Sequence, residues 1–401
     1  MAVHQNPCDN KASILEERKD LMVDWLELPE HLLPLIASKL INMIDYIRIG
    51  AVQWRSQDFR YGLLFLSRQL PVLMLPDDED KQTYCFYNLT EKRPYRYRLS
   101  MPHNKVVFNS SRGWLVTLRE LYDVSLLNPF MSSANEINLP SLKTLLTDDD
   151  DSMGYPRDLL KAALSSNQVW DSECTIMAIY GSFNRVAYCK LRDSSWTHID
   201  LNYKGIDDVM YYKNQFYFVH QRGSLFSCDL NDPHPKVSKV ATRPIFHWDN
   251  GYVWYYIVES NGNLLLVARA KKYPGDDDVY CNLTRHFFVF KLDLVELMWI
   301  EVKNLDGHTL FLGRNCSVSL SASDFPECEP NCIYYTNEHH TGYADHSEAF
   351  YGESHKHGDK PKPHDMGVFN LEDGSFLQSY YPEIHKLIPR PIWIEPTMQL
   401  F

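Results

Sequence analysis

Long apolar runs are missing from this 401-residue chain, and no stretch approaches the roughly 18 residues that a membrane-spanning helix requires. The first twenty residues, MAVHQNPCDNKASILEERKD, hold no apolar segment of the kind a secretory leader needs. Cysteine is sparse and odd in number. The nine residues are Cys8, Cys85, Cys174, Cys189, Cys228, Cys281, Cys316, Cys328 and Cys332, mostly set among strand-like apolar neighbours as in YCFY and AYCK. This usage points to buried free thiols in a reducing compartment, not to a disulfide framework. Cytoplasm or nucleus is therefore expected, and the N-x-S/T sequons at Asn88, Asn109, Asn282 and Asn315 are read as chance. Basic charge is also short. Through residue 70 there are 8 Lys and Arg against 9 Asp and Glu; beyond it the balance is 32 against 43, for a net charge of −12. Such a surface repels phosphate backbones and anionic lipid heads, which argues against nucleic acid or membrane as the main partner.

Catalytic signatures are absent as well. The chain has no G-x-S-x-G elbow, no phosphate-cradling G-x-x-x-x-G-K-[ST], no H-E-x-x-H and no Gly-rich strand-to-helix turn. Carboxylates and histidines are plentiful, so an enzyme without a local motif stays open. Acidic runs at 77–80, 148–151 and 276–278 lack the alternating ligands of a calcium loop and read as solvated turns. Cys328-x3-Cys332 lies ahead of His339, His340, His346, His355, His357 and His364. The histidines are irregularly spaced in polar sequence, so residues 338–364 read as a solvated His-rich loop between two strands, with no metal and no cofactor.

What is present falls into two textures. Residues 1–20 are polar and are expected to be disordered. Over 21–65 the spacing of Leu28, Leu32, Leu33, Ile36 and Leu40 at threes and fours predicts a small helical domain. Pro29 suits a helix start, whereas Pro34 would lie beyond the first turn, so regular helix is expected to begin near His31 or Leu32. Too few residues are available there to close a core, and the apolar face needs a partner. From residue 70 to 401 the chain consists of short runs rich in Tyr, Phe, Val and Ile, separated by Gly, Asn and Asp. Hairpins are predicted in QFYFVHQRGSLFSCDL, YYIVESNGNLLLVARA, FFVFKLDLVELMWIEV and MGVFNLEDGSFLQSY. Strand pairs recur at about 40-residue intervals, the texture of a β-propeller, with a large β-sandwich pair as the alternative. The expected fold is thus a small N-terminal helical domain followed by a large all-β domain.

The stretch DWLELPEHLLPLIASKLINMIDYIRIGAVQWRS resembles an F-box, with matches at Leu28, Pro29, Leu32, Leu33, Ile36, Leu40, Ala51, Val52, Trp54 and Arg55. The remainder resembles plant F-box proteins with a C-terminal KIB-type β domain. SLLNPF with INLP, MYYKNQFYFVHQRGSLFSCDL, DGHTLFLGRNCSVSLSASDFPECEPNCIYYTN and MGVFNLEDGSF carry that likeness. The resemblance implies a non-catalytic substrate receptor of an SCF-type ubiquitin ligase. It also implies that Leu28, Pro29, Leu32, Ile36, Leu40 and Trp54 form or support the face that docks on a Skp adaptor and, through it, cullin. Two positions depart from the family: His31 replaces a Glu, and AVQWR lacks two residues, which turns Trp54 by about 200° on a helix. An F-box-like decoy that binds substrate but no ligase is therefore an alternative, beside the propeller enzyme. The β domain is expected to capture an unknown protein through aromatic residues in its loops, with Tyr155, Tyr203, Trp248 and Tyr343 as candidates.

Overall fold

The computed structural model describes residues 70–395, with breaks at 77–82, 90–91, 99–104, 120–121, 129–135, 146–158, 167–172, 182, 202–203, 231–234, 250, 273–282, 326, 337–364 and 378–390. These residues lie in the larger of the two units into which the chain divides, Arg68–Gln399. The helices expected over 21–65 and the His-rich segment 338–364 lie outside the described residues.

Alternation of aromatic and β-branched residues gives strands, and Asn and Gly residues that tolerate positive φ turn them into hairpins. Among the described residues, 25 strands form six sheets. Blade 1 contains β1 (Val72–Pro76), β2 (Thr83–Asn88) and β3 (Arg93–Arg98). Blade 2 contains β4 (Lys105–Ser111), β5 (Trp114–Arg119), β6 (Asp123–Leu127) and β7 (Glu136–Asn138). Blade 3 is built from β8 (Leu159–Leu164), β9 (Thr175–Tyr180), β10 (Arg185–Lys190) and β11 (Thr197–Ile199). Blade 4 holds β12 (Ile206–Tyr212), β13 (Gln215–His220), β14 (Leu225–Asp229) and β15 (Lys236–Ala241). Blade 5 holds β16 (Gly251–Ser260), β17 (Asn263–Lys272), β18 (Thr284–Asp293) and β19 (Met298–Val302). Blade 6 comprises β20 (His308–Leu312), β21 (Ser317–Ser321), β22 (Cys332–Tyr335), β23 (Gly367–Asn370) and β24 (Phe376–Leu377), and β25 (Ile392–Ile394) returns to blade 1.

The four hairpins predicted from sequence are all formed, as β13–β14, β16–β17, β18–β19 and β23–β24. At β16–β17, Asn261 and Gly262 both take positive φ, 49° and 73°, as a two-residue type I′ turn requires. Lys213 and Asn214 close β12–β13 in the same way, at 45° and 65°.

The hydrophobic cores decide between propeller and sandwich, because they sit between consecutive blades. Trp114, Val116 and Leu126 pack on Leu159, Ile176 and Ala187 between blades 2 and 3. Met177 and Ile179 meet Val209, Phe216 and Phe218 between blades 3 and 4. Val219 and Leu225 meet Ile257 and Leu266 between blades 4 and 5. Val267 and Phe287 meet Leu310, Ile333 and Phe369 between blades 5 and 6, and Leu73 and Trp393 meet Phe311 and Tyr334 between blades 6 and 1. The sandwich alternative is thereby overturned: six sheets packed in succession close into a propeller. Closure is made by β25, which pairs antiparallel with β1 (Leu73 opposite Trp393), so the last strand completes the first blade. A polar network reinforces the seam. Asn109 Nδ2 donates to the Asn315 carbonyl at 2.8 Å, Asn315 Nδ2 donates to Ser110 Oγ at 2.9 Å, and the Trp393 N–H donates to Asn315 Oδ1 at 3.2 Å. Two of the four sequon asparagines, Asn109 and Asn315, are therefore buried structural residues.

Blade 6 departs from a simple meander. Its order is β21-β20-β22-β23-β24, and β20 runs parallel to β22, Leu310 opposite Ile333. The chain passes β20 to reach the axis, turns back along it, then crosses to its other side through residues 322–331. Asn331, at φ 58°, pins this crossover. Its Oδ1 accepts from the N–H groups of Leu305 and Gly307, its N–H donates to the His308 carbonyl at 2.8 Å, and its own carbonyl accepts from Leu371 at 3.0 Å.

Candidate functional site

Innermost strands of three blades and the β20–β21 loop of a fourth converge at one end of the axis. Leu160 and Lys161 of β8, Ile206, Asp207 and Asp208 of β12, Trp254, Tyr255 and Tyr256 of β16, the turn residue Asn184, and Gly313 with Arg314 line a cavity there. At its floor Lys161 Nζ lies 2.5 Å from Asp208 Oδ1, both side chains almost wholly buried. Asp208 also accepts from the N–H groups of Val209 (2.6 Å) and Ile257 (2.9 Å) and lies 3.4 Å from the Ser317 hydroxyl. Burial pushes this carboxyl above its ordinary range, while Lys161 and the two backbone N–H groups pull it back. The pair therefore ties three innermost strands and the β20–β21 hairpin together. The enclosed volume is about 20 Å³, room for one water and far below the several hundred Å³ of a small-molecule site.

Beside this end lies a buried ionic clamp. Arg269 of β17 is fully buried: its Nε donates to Thr284 Oγ1 at 2.7 Å, Nη1 to Tyr256 OH at 3.1 Å and to the Thr336 carbonyl at 2.9 Å. Nη2 donates to both the carbonyl and Oδ2 of Asp365 at 3.0 Å, and Lys271 Nζ lies 2.8 Å from the same Oδ2. Asp365 accepts further from Thr284 N–H and Oγ1, and the Tyr335 ring stacks on the guanidinium, 4.6 Å from its centroid. Burial pushes the Asp365 carboxyl up, yet Arg269 and Lys271 outweigh it and hold the group below the usual carboxylate range. The clamp gathers four chain ends: the end of β17, the start of β18, the end of β22 and the start of β23. Residues 273–282 and 337–364, which join these strand ends in sequence, lie outside the described residues.

A larger hollow of about 390 Å³ lies on blade 6, lined by Asp306, Gly307, Ser321, Ala322, Ser323, Cys328 and Pro330, and is wide open to solvent. Burial pushes the Cys328 thiol up to about 12 and the Cys332 thiol up to about 11. Cys228 and Cys316 are likewise pushed to about 12 by burial, so none of these four is a thiolate nucleophile near neutral pH. Cys328 and Cys332 belong to the core between blades 6 and 1, and among the described residues no three His, Cys, Asp or Glu side chains are grouped to hold a metal ion.

Of the residues singled out from sequence, Trp248 lies within the described structure. It is half-buried in the linker from β15 to β16, and its indole N–H donates to the Lys271 carbonyl at 3.2 Å. Leu28, Pro29, Leu32, Ile36, Leu40, Trp54, Tyr155, Tyr203 and Tyr343 fall outside the described residues. The axial pair and the clamp were missed, because their partners lie tens of residues apart and no local spacing announces them; Arg269 and Asp365 are separated by 96 positions.

The KIB1-4 beta-propeller family model matches residues 86–370. The F-box protein SKIP23 of Arabidopsis thaliana is 26% identical over 93% of this chain and 96% of its own length. The putative F-box protein At5g55150 of the same plant is 22% identical over 73% of this chain and 74% of its own. Among solved structures, TolB from Acinetobacter baumannii covers 81% of this chain and 65% of its own, with a TM-score of 0.39 and 10% identity.

Proposed function

The chain belongs to the KIB1-4 beta-propeller family, and on that ground we propose that it is a substrate-recognition subunit of an SCF-type ubiquitin ligase. Residues 21–65 dock on a Skp-family adaptor, and through it on cullin, by way of Leu28, Pro29, Leu32, Ile36, Leu40 and Trp54. The propeller captures the protein to be ubiquitylated, and it acts in the cytoplasm, the nucleus or both. The observation that carries this reading is the pairing of an F-box-like stretch with a propeller whose relatives, matched over 74% and 96% of their own lengths, are named F-box proteins. A receptor needs no catalytic group of its own. Its contribution is proximity, which raises the effective concentration of target lysines at the ligase. An axial cavity with room for one water and an ion pair spent on strand contacts agree with a role in binding rather than chemistry.

Capture is assigned to the loops at the ends of the blades, with Tyr155, Tyr203, Trp248 and Tyr343 as candidate anchors. The net charge of −12 favours a basic partner surface over nucleic acid or membrane, so capture weakens as salt rises through the physiological range. The test is turnover in plant cells. Full-length chain should shorten the half-life of its bound partners, and chain lacking residues 1–60 should bind the same partners and lengthen it. Unchanged turnover in both cases defeats the proposal. A decoy, the second reading favoured by the shortened AVQWR, would lengthen half-lives in either form.

A further inference from the structure

The outermost strand of each blade leaves one row of backbone N–H and C=O groups unpaired, and proteins blunt such edges by brevity, proline or charge. Five of the six blades here do so. Among the described residues, β3 carries Pro94 with Arg93 and Arg96; β7 and β11 are three residues long; β15 carries Lys236 and Lys239; β24 has two residues. β19 is the least blunted edge: it is neither short nor proline-bearing, and Glu301 is its one charged side chain. It runs for five residues, MWIEV, and among the described residues no strand pairs with its outer side.

Its exposed side chains are also apolar. Leu294 (52% exposed), Val295 (86%), Leu297 (48%), Met298 (56%) and Ile300 (45%) are five of the nine large apolar side chains exposed among the described residues, gathered within seven positions. The hairpin is nonetheless fixed. Asp293 Oδ1 accepts from the N–H groups of Val295 (2.8 Å) and Glu296 (3.1 Å), and Trp299 and Val302 pack on the cores to either side of the blade. Leu297 occupies φ 52°, a conformation that a leucine rarely adopts.

We propose that the outer edge of β19 is a strand-addition site for an extended segment of a partner protein in which aliphatic residues alternate with lysine or arginine. Main-chain hydrogen bonds supply the affinity and the alternate side chains supply the selection. Aliphatic groups on the added strand lie beside Met298 and Ile300, and its cations face the exposed carboxylates of Glu296 and Glu301. A second copy of this chain fits poorly. Symmetric antiparallel pairing centred on Ile300, which keeps the apolar residues on one face, sets the two Glu301 side chains diagonally opposite at about 7–8 Å, and centring on Glu301 sets them face to face. The site is independent of the receptor reading, since it rests on the edge alone.

The test uses full-length protein and two fluorescein-labelled peptides of equal composition, KVKVKVK and KKVVVKK, read by anisotropy. The alternating peptide should bind saturably and at least tenfold more tightly than the blocked one. Met298→Asn combined with Ile300→Asn, which leaves the charge unchanged and alters two exposed positions, should weaken it at least tenfold without changing thermal unfolding. Equal binding of the two peptides, or unchanged binding by a folded double variant, overturns the proposal. Should that variant misfold, hydrogen exchange of the wild-type protein decides: protection of the 298–302 amides by KVKVKVK supports the site, and its lack refutes it. A concentration-dependent dimer in sedimentation velocity that Ile300→Asn abolishes would assign the edge to a second copy and overturn the proposal as well.

Discussion

Replacing Arg269 by Met isolates what the buried clamp contributes. The guanidinium makes five hydrogen bonds, to Thr284 Oγ1, Tyr256 OH, the Thr336 carbonyl, and the carbonyl and Oδ2 of Asp365. Methionine fills much of the aliphatic volume but leaves these acceptors without that donor and removes one of the two cations beside Asp365. Breaking one side of a buried pair costs about 3–5 kcal/mol; because Lys271 stays 2.8 Å from Asp365, the lower half of that range is expected. With a urea m-value of about 2–3 kcal/mol/M, the unfolding midpoint should fall by about 1–2 M. Arg269→Lys keeps the charge but cannot reach all five acceptors from one ammonium, so it should fall between wild type and Arg269→Met. The assay is urea unfolding of the full chain followed by tryptophan fluorescence. A midpoint shift below about 0.3 M for Arg269→Met, with m unchanged, would refute the idea that the clamp holds blades 5 and 6 together.

The same cluster predicts a pH dependence. Asp365 is held below the ordinary carboxylate range when folded, so its contribution is complete above that range and is lost as pH falls through its folded pKa. Asp365→Asn should lower stability at pH 7 and flatten the decline below about pH 5; a wild-type slope in the variant would contradict this. Deleting 338–364 leaves Thr336, Asn337, Asp365 and Met366 between the paired Tyr335 and Gly367, a four-residue hairpin loop. Its unfolding midpoint should stay level or rise, by at most about 2 kcal/mol of closure entropy, and a marked fall, or stoichiometric zinc in the wild-type protein, would show that the segment has a structural role. Gly251→Ala should cost about 1–3 kcal/mol, because an added Cβ would lie 1.7 Å from the Lys271 carbonyl oxygen; wild-type stability would mean that β16 and β17 separate more easily than their ten paired positions suggest.

The hairpins were legible because their information is local. Asn261-Gly262 and the Gly223 turn need positive φ within a few residues of alternating strands, and period-two patterning does the rest. The strand order of blade 6 was not legible: it is set by Asn331, which holds Leu305, His308 and Leu371 through contacts that sequence proximity does not reveal. The clamp shares that character, since a lysine and an arginine two residues apart on a strand usually mark a solvated face. Only the arrival of Asp365 from the next blade makes their burial possible. The exposed β19 edge was written plainly as LVELMWIEV, but its apolar residues read equally well as core until the sheet order made the strand outermost.

The central claim is that this propeller is carried to a ligase by its first 65 residues, and co-purification measures it most directly. Tagged full-length chain should recover a Skp adaptor and cullin in comparable amounts. Leu28→Ala with Ile36→Ala, each removing about 2–5 kcal/mol of packing where the site is well packed, should lose both while retaining the partners held by the propeller. Absence of adaptor and cullin from the wild-type sample, or their persistence in the double variant, would contradict the account.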